Sequence, residues 1–453
     1  MPTDDSASHY PARVRLNTRM MGVIASAVAA RRNVLELIPE LATRQPMVSG
    51  RTGARWHMVM DPGALRRILK DQVEDYPKSL VTRLILEPAI GQSLFVAEGA
   101  HWRWQRLAAA PAFAQRNVEA LAPVMTAAAE ASSRRLAAAT GPVDIFEETV
   151  AATFEVISDV TFSGDEGFDR DAVHHAIDDY IAGAARVSVL DIMGLPGWIP
   201  RPGRLFAGGD LRRMKRFADE AILARARAGP RPVPDLLDLL RAGEDPETHR
   251  RMNGAELRDN LLTFIVAGHE TTALTLAWAL YLLAFDPQVQ DRAATEARAA
   301  LGDDAAGVAD LPRLTYIRQI VEETLRLYPP AAFLSRTARS PDTLCGREVR
   351  PRDTIVLPIY ALHRHHLLWE DPDRFDPDRF APEAPPRDRF AFLPFGAGPR
   401  ICIGASFALQ EAVIILATLL ARFRFALTDR APQPRMILTL RPHGGVWLGV
   451  TAR

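Results

Sequence analysis

Residues Leu261 to Phe285 form an apolar stretch with the length of a membrane-spanning helix, yet its middle reads Gly268-His269-Glu270-Thr271-Thr272. Ionisable side chains at the centre of a lipid-facing span are expensive, so the pattern predicts a helix running through a protein core with its polar knot turned to a cavity. A buried helix of that length needs a large envelope around it. The composition can supply one, since 48 % of the 453 residues are hydrophobic and 24 % are charged, which excludes a disordered tail. The 55 basic and 55 acidic residues cancel. With no net positive field to draw phosphate, no nucleic-acid partner is expected.

Lysine stands only at 70, 78 and 215, following Leu69, Pro77 and Met214, so no Gly-Lys phosphate loop exists. Two cysteines, Cys345 and Cys402, are too few for a disulfide framework or a four-cysteine zinc site. A single cysteine can still be a nucleophile or a metal ligand, while Cys345 reads as a turn residue. Near the start, Met20 to Ala30 is an apolar run flanked by Arg13, Arg15, Arg19, Arg31 and Arg32. It is too short to span a bilayer, and although it faintly imitates a targeting peptide, a packed helix is the expectation.

Along the chain, 47 to 60 reads as two short strands about a glycine turn and 63 to 70 as a helix. From 100 to 300 the pattern is helical: Trp102 to Arg116, Val118 to Ala138, Ala172 to Val187, Gly209 to Ala228, then the long helix. The Pro/Gly-rich segment Leu195 to Gly203 carries Trp198 and reads as a loop stapled by its indole, with a mobile lid the competing reading. After a helix ending at Tyr328 come short strands around 335 to 360, a Pro/Asp/Arg-rich coil from 366 to 394, a last helix Gly404 to Phe423 and terminal strands. No repeat or linker divides this, so the expectation is a mainly α protein with small β-sheets. Residues 1–35 form a helical N-terminal extension and 36–453 one large domain.

The densest chemical signal is Phe395-Gly396-Ala397-Gly398-Pro399-Arg400-Ile401-Cys402-Ile403-Gly404. Glycines there let the backbone turn tightly and approach another group, and backbone N–H groups at the start of the next helix would stabilise a thiolate. Such a sulfur suits a catalytic nucleophile or the axial ligand of a haem iron, against the bland alternative of a buried structural cysteine. A zinc-protease reading of His269-Glu270 fails because position 273 is Ala. His363, His365 and His366 with Glu370 and Asp371 lack the spacing of a helical metal site.

Phe-x-x-Gly-x-Arg-x-Cys-x-Gly at 395–404 resembles the haem-thiolate loop of the cytochrome P450 family, with every fixed position filled. Companions stand in order. Glu323-Thr324-Leu325-Arg326 is similar to the family's Glu-x-x-Arg helix, and Pro377-Asp378-Arg379-Phe380 to its Pro-Glu-Arg-Phe coil with Asp for Glu. Ala267 to Thr272 matches the oxygen-activation motif, and Trp102-x-x-x-Arg106 the helix that grips a haem propionate. The resemblance spans roughly residues 40 to 450 and implies one P450-type haem domain. It makes Cys402 the iron ligand and haem, iron protoporphyrin IX, the cofactor. By the same resemblance Trp102, Arg106, Arg336 and Arg400, with His101 as a weaker option, would hold the propionates, and Phe395, Ala267 and Gly404 would lie against the cofactor. Glu323, Arg326 and Arg379 would form a structural ion network; Arg374, in the duplicated Pro-Asp-Arg-Phe segment, competes with Arg379.

The function so implied is a haem-thiolate monooxygenase that inserts one oxygen atom into an apolar substrate, with Glu270 and Thr271 relaying protons. A helix-internal hydrogen bond is the bland alternative for Thr271. Leu94, Phe95, Ala267, Thr271, Ala331, Ala332 and Phe333 would line the pocket, pointing to a fatty acid or another lipid-like or terpenoid compound. The stretch after Cys402 is too short for a flavin or ferredoxin domain, which implies a separate ferredoxin or flavodoxin-type electron donor docking near Arg103 and Arg116. Rival expectations are a peroxide-driven peroxygenase, a redox-neutral isomerase and a non-catalytic haem sensor. A cytoplasmic monomer without membrane association completes the reading.

Overall fold

The computed structural model describes residues 10–19, 21–52, 54–162, 208–436 and 438–453. The expected helix at 172–187 and the segment 195–203 with Trp198 lie outside the described residues.

The apolar stretch is part of a 32-residue helix, Gly254–Phe285. Its start is fixed by a capping box in which the Asn253 side chain accepts from the Glu256 N–H and the Glu256 carboxylate accepts from the Asn253 N–H. From Ala273 to Ala284 every residue is buried. Around it pack the helices Ile145–Phe162, Gly208–Ala228, Thr315–Leu327 and Ala405–Arg422. The indole of Trp278 stacks on Tyr328 with ring centroids 4.1 Å apart, joining the long helix to the end of Thr315–Leu327. Among the described residues one helix, Ala405–Arg422, is apolar and long enough to cross a membrane, and two thirds of it is buried in this core.

Local chemistry corrects several expected boundaries. The helix expected over 102–116 stops at Ala109 and continues as a 3-10 turn, Ala110–Phe113, because Pro111 has no N–H to give to the preceding turn. Pro123, by contrast, sits in the first turn of Ala122–Ala138, where no N–H is needed. The helix expected at 63–70 is a short α segment, Pro62–Arg66, running into a π turn, Arg67–Asp71.

Among the described residues four small sheets flank the helices. In the largest, Met47–Thr52 and Ala54–Val59 pair as a hairpin with Met47 opposite Val59; Thr354–Leu357 joins in parallel and Leu334–Thr337 forms the far edge. Cys345 and Gly346, both at positive φ, make the tight turn of the Asp342–Leu344/Arg347–Val349 hairpin. The C-terminal hairpin pairs Gln433–Met436 with Leu440–His443. The N-terminal part is tied down: the Tyr328 hydroxyl donates to Ala12 O at 2.6 Å, the Ala12 N–H donates to Tyr281 Oη at 2.9 Å, and Asn33 bonds the backbone of Pro434 and Met436.

Candidate active site

The cysteine loop is closed by its own backbone, the Cys402 N–H donating to Phe395 O at 2.9 Å. Gly398 is required twice over. Its φ is 71°, and a Cβ there would lie 2.0 Å from Leu69 O, because the loop rests on the backbone of the π turn. The following helix begins at Ala405, so Cys402 stands three residues before it. Its thiol lies deep in the protein but is accessible, because it faces a cavity of about 1300 Å³. Burial pushes the thiol above its ordinary value, while the Gly404 N–H and the Arg106 guanidinium pull it down. The expected helix-terminal stabilisation of a thiolate is thus present and outweighed in the protein alone; a cation at the sulfur would reverse the balance.

One part of the cavity lining is cationic. Lys78, Arg336 and Arg400 gather about Glu98, whose carboxylate is bonded by Arg400, and Arg400 lies over the Trp102 ring at 5.5 Å. Arg106 donates to Ile401 O at 3.0 Å beside the sulfur. The Nε atoms of Arg336 and Arg400 are buried and find no hydrogen-bond partner. Burial, with Arg400 nearby, lowers Arg336 to about 10, and burial brings Lys78 down to about 7. Buried donors without acceptors and cations with one carboxylate between them call for an anion. The two carboxylates of a haem fit that need, and Cys402 fits its iron.

The long helix supplies Val266, Ala267, Gly268, Glu270 and Thr271 to the same lining. The Thr271 hydroxyl donates to Ala267 O at 2.8 Å, the helix-internal bond weighed from sequence, while its side chain still borders the cavity. A Cβ at Gly268 would come within 3.2 Å of Ile157 on the neighbouring helix, which also lines the cavity. Glu270 is almost fully buried, and its Oε1 accepts from Thr439 at 2.7 Å and from Arg441, both in the C-terminal hairpin segment. Leu94, Phe95, Ala331, Phe333, Phe395 and Gly404 also line the cavity.

Two expected residues are not there. His101 accepts from the Trp104 indole at 3.2 Å and stays out of the lining, because its ring is turned along its own helix. Ala332 is fully buried and points into the core, the alternate side of an extended segment from Ala331 and Phe333.

Beneath the cysteine loop lies the ion network. Glu323 and Arg326 are inaccessible to solvent and meet in two bonds, 2.6 Å and 2.7 Å. Arg326 also donates to the carbonyls of His363, Pro372 and Arg374. Glu323 Oε1 accepts from the Asp376 N–H and stands 3.6 Å from Arg379 Nε; Arg374 offers its carbonyl, with its side chain exposed. His363 extends the scaffold, its Nε2 accepting from the Leu393 N–H at 2.8 Å while Nδ1 faces Arg326 O at 3.2 Å. Burial keeps that imidazole neutral, at about 3, and among the described residues no group of side chains has metal-site geometry.

Set against known proteins, residues 29–447 match the family model described as Cytochrome P450. The chain belongs to the cytochrome P450 family. Cyclooctatin synthase of Streptomyces melanosporofaciens is 32 % identical to this P450 over 92 % of the chain and 91 % of its own length. Cyclooctat-9-en-7-ol 5-monooxygenase of the same organism is also 32 % identical, covering 89 % and 87 %. The crystal structure of the cytochrome P450DA heme domain superimposes with a TM-score of 0.80 at 27 % identity, over 90 % of each chain. Haem iron is the family's cofactor, and monooxygenation is the activity of this P450.

Some residues of the site carried no motif. Lys78 had only the rarity of lysine to mark it. Glu98, Thr439 and Arg441 are apart in sequence from what they touch. Glu411, on Ala405–Arg422, is fully enclosed beside Thr272, and burial raises its carboxyl to about 8 against the pull of that hydroxyl.

Proposed function

We propose that this P450 hydroxylates an apolar, lipid-like or terpenoid compound, drawing electrons from a separate ferredoxin or flavodoxin-type protein. The observation that carries the reading is the cavity: apolar over most of its wall, with the cations about Glu98 and the Glu270–Thr271 segment among its polar groups. When bound, the haem supplies reductive activation of dioxygen, and a thiolate ligand favours cleavage of the O–O bond. The chain's own part is to bind, orient and protonate. Cys402 ligates the iron, and Lys78, Arg336 and Arg400, with Trp102 and Arg106, hold the propionates. Leu94, Phe95, Ala331 and Phe333 exclude water and leave the substrate few polar anchors. Thr271 presents a hydroxyl to the cavity, and Glu270 recharges it with protons.

The name of the relative that oxygenates cyclooctat-9-en-7-ol, a cyclic alkenol, supports an apolar substrate. Arg103 and Arg116 are exposed on the segments beside Cys402, although Arg103 shares its charge with Glu247 at 2.9 Å, and they are the docking cations. The working state is a cytoplasmic monomer. Titrating fatty acids, alkanes and cyclic terpenoids and watching the haem Soret band tests the substrate class: a blue shift with the apolar set is expected. A shift confined to polar or charged compounds would overturn it. Turnover with peroxide alone at the rate seen with electron donor would favour the peroxygenase alternative.

A further inference from the structure

The C-terminal hairpin does two things at once. Met436, Leu438 and Thr439 line the large cavity, whereas Arg441, Pro442 and His443 line a second, outer cavity of about 260 Å³ with Arg435, Asp144 and Glu147. Glu270 borders the large cavity, and its partner Arg441 borders the outer one. Thr439 and Arg441 both spend their bonds on Oε1 of that carboxylate, so the hairpin fixes which way it faces. Arg441 is about a quarter exposed, and Glu270 is enclosed. A buried carboxylate without a cation would simply take up a proton and keep it. Arg441 supplies Glu270 with that cation.

We infer that Arg441 and Thr439 are positioning residues that hold Glu270 as a proton shuttle between the outer cavity beside the hairpin and the Thr271 hydroxyl. The inference rests on the proton-relay reading above and adds its entrance and its fastening. One proton moves at a time. The Glu270 O–H bond breaks as Thr271 gains that proton and gives up its own to the cavity, and the carboxylate then takes a proton from solvent at the outer cavity. No electron moves within this set. Because the same hairpin segment borders the substrate cavity through Met436 and Leu438, a substrate that presses on those side chains also presses on the Glu270 fastening.

The test compares Arg441→Met, Arg441→Lys and Thr439→Val with Glu270→Gln in the haem-loaded protein. Haem content and the substrate-induced Soret shift serve as controls for folding. The expected result for Arg441→Met is product formation slowed about tenfold, a several-fold larger share of electrons ending as hydrogen peroxide, and a changed solvent deuterium isotope effect, with Lys recovering most of each. Thr439→Val should move the same quantities by less. If Glu270→Gln raises peroxide and Arg441→Met does not, the fastening is refuted while the relay stands. If Glu270→Gln itself leaves peroxide unchanged, the relay fails.

Discussion

Replacing Glu323 by Gln is expected to destabilise the protein far more than one lost surface ion pair would. The change is isosteric, so no void opens, and the whole effect falls on the charge. Arg326 would keep its bonds to the carbonyls of His363, Pro372 and Arg374 but would sit, with no access to water, without a counter-charge. Removing one partner of such a buried pair costs about 3–5 kcal/mol. At about 2.1 cal/mol/K per residue, a chain of this length has an unfolding entropy near 1 kcal/mol/K, so about 4 kcal/mol lowers Tm by roughly 4 °C. A smaller cooperative unit would shift further. The assay is thermal unfolding of the haem-loaded protein, followed by far-ultraviolet circular dichroism and, in parallel, by Soret absorbance. The Soret signal should fall first, because the network fixes the coil that leads into the cysteine loop. Arg379→Gln, at 3.6 Å from Glu323, should cost less, and Arg374→Ala, whose side chain is exposed, almost nothing. A Glu323→Gln shift below about 1 °C, or Arg374→Ala matching Arg379→Gln, would refute the reasoning.

Thr271→Ala should retain haem and substrate binding while peroxide release rises several-fold, measured as peroxide formed per electron pair consumed. Lys78→Met removes one cation from the propionate wall and should speed haem transfer to apomyoglobin about tenfold without changing the Cys402 carbon-monoxide spectrum. Glu411 gives a pH signature. Its carboxyl ionises at about 8 when folded, against an ordinary value of 4.5, so the folded state holds more protons across that window and stability falls as pH rises through it. Glu411→Gln should flatten that decline between about pH 4.5 and 8, with the gain over the native protein larger at pH 8 than at pH 5 in paired thermal melts.

The parts legible in sequence are those whose partners are neighbours in the chain. The cysteine loop, the Glu-x-x-Arg turn and the polar knot are local patterns, and the long helix announces itself by length and burial. What stayed hidden lies across the fold. Ile157 packs against Gly268 from another helix, and Thr439 and Arg441 meet Glu270 from some 170 positions away. His101 and Ala332 failed through side-chain direction: one turned along its helix, the other took the inward phase of an extended segment.

Lys78 has a practical consequence. In a protein with three lysines, reductive methylation with carbon-13 formaldehyde would yield three resolvable lysine signals, and only one of them would come from the wall that receives the cofactor. Lys70 is exposed, whereas the Lys78 ammonium is occupied by Leu94 O and Ala97 O and ionises at about 7. Its chemical shift should therefore titrate near neutrality in the empty protein and lock in the charged form once propionate arrives. That makes it a built-in label for cofactor loading that needs neither colour nor turnover.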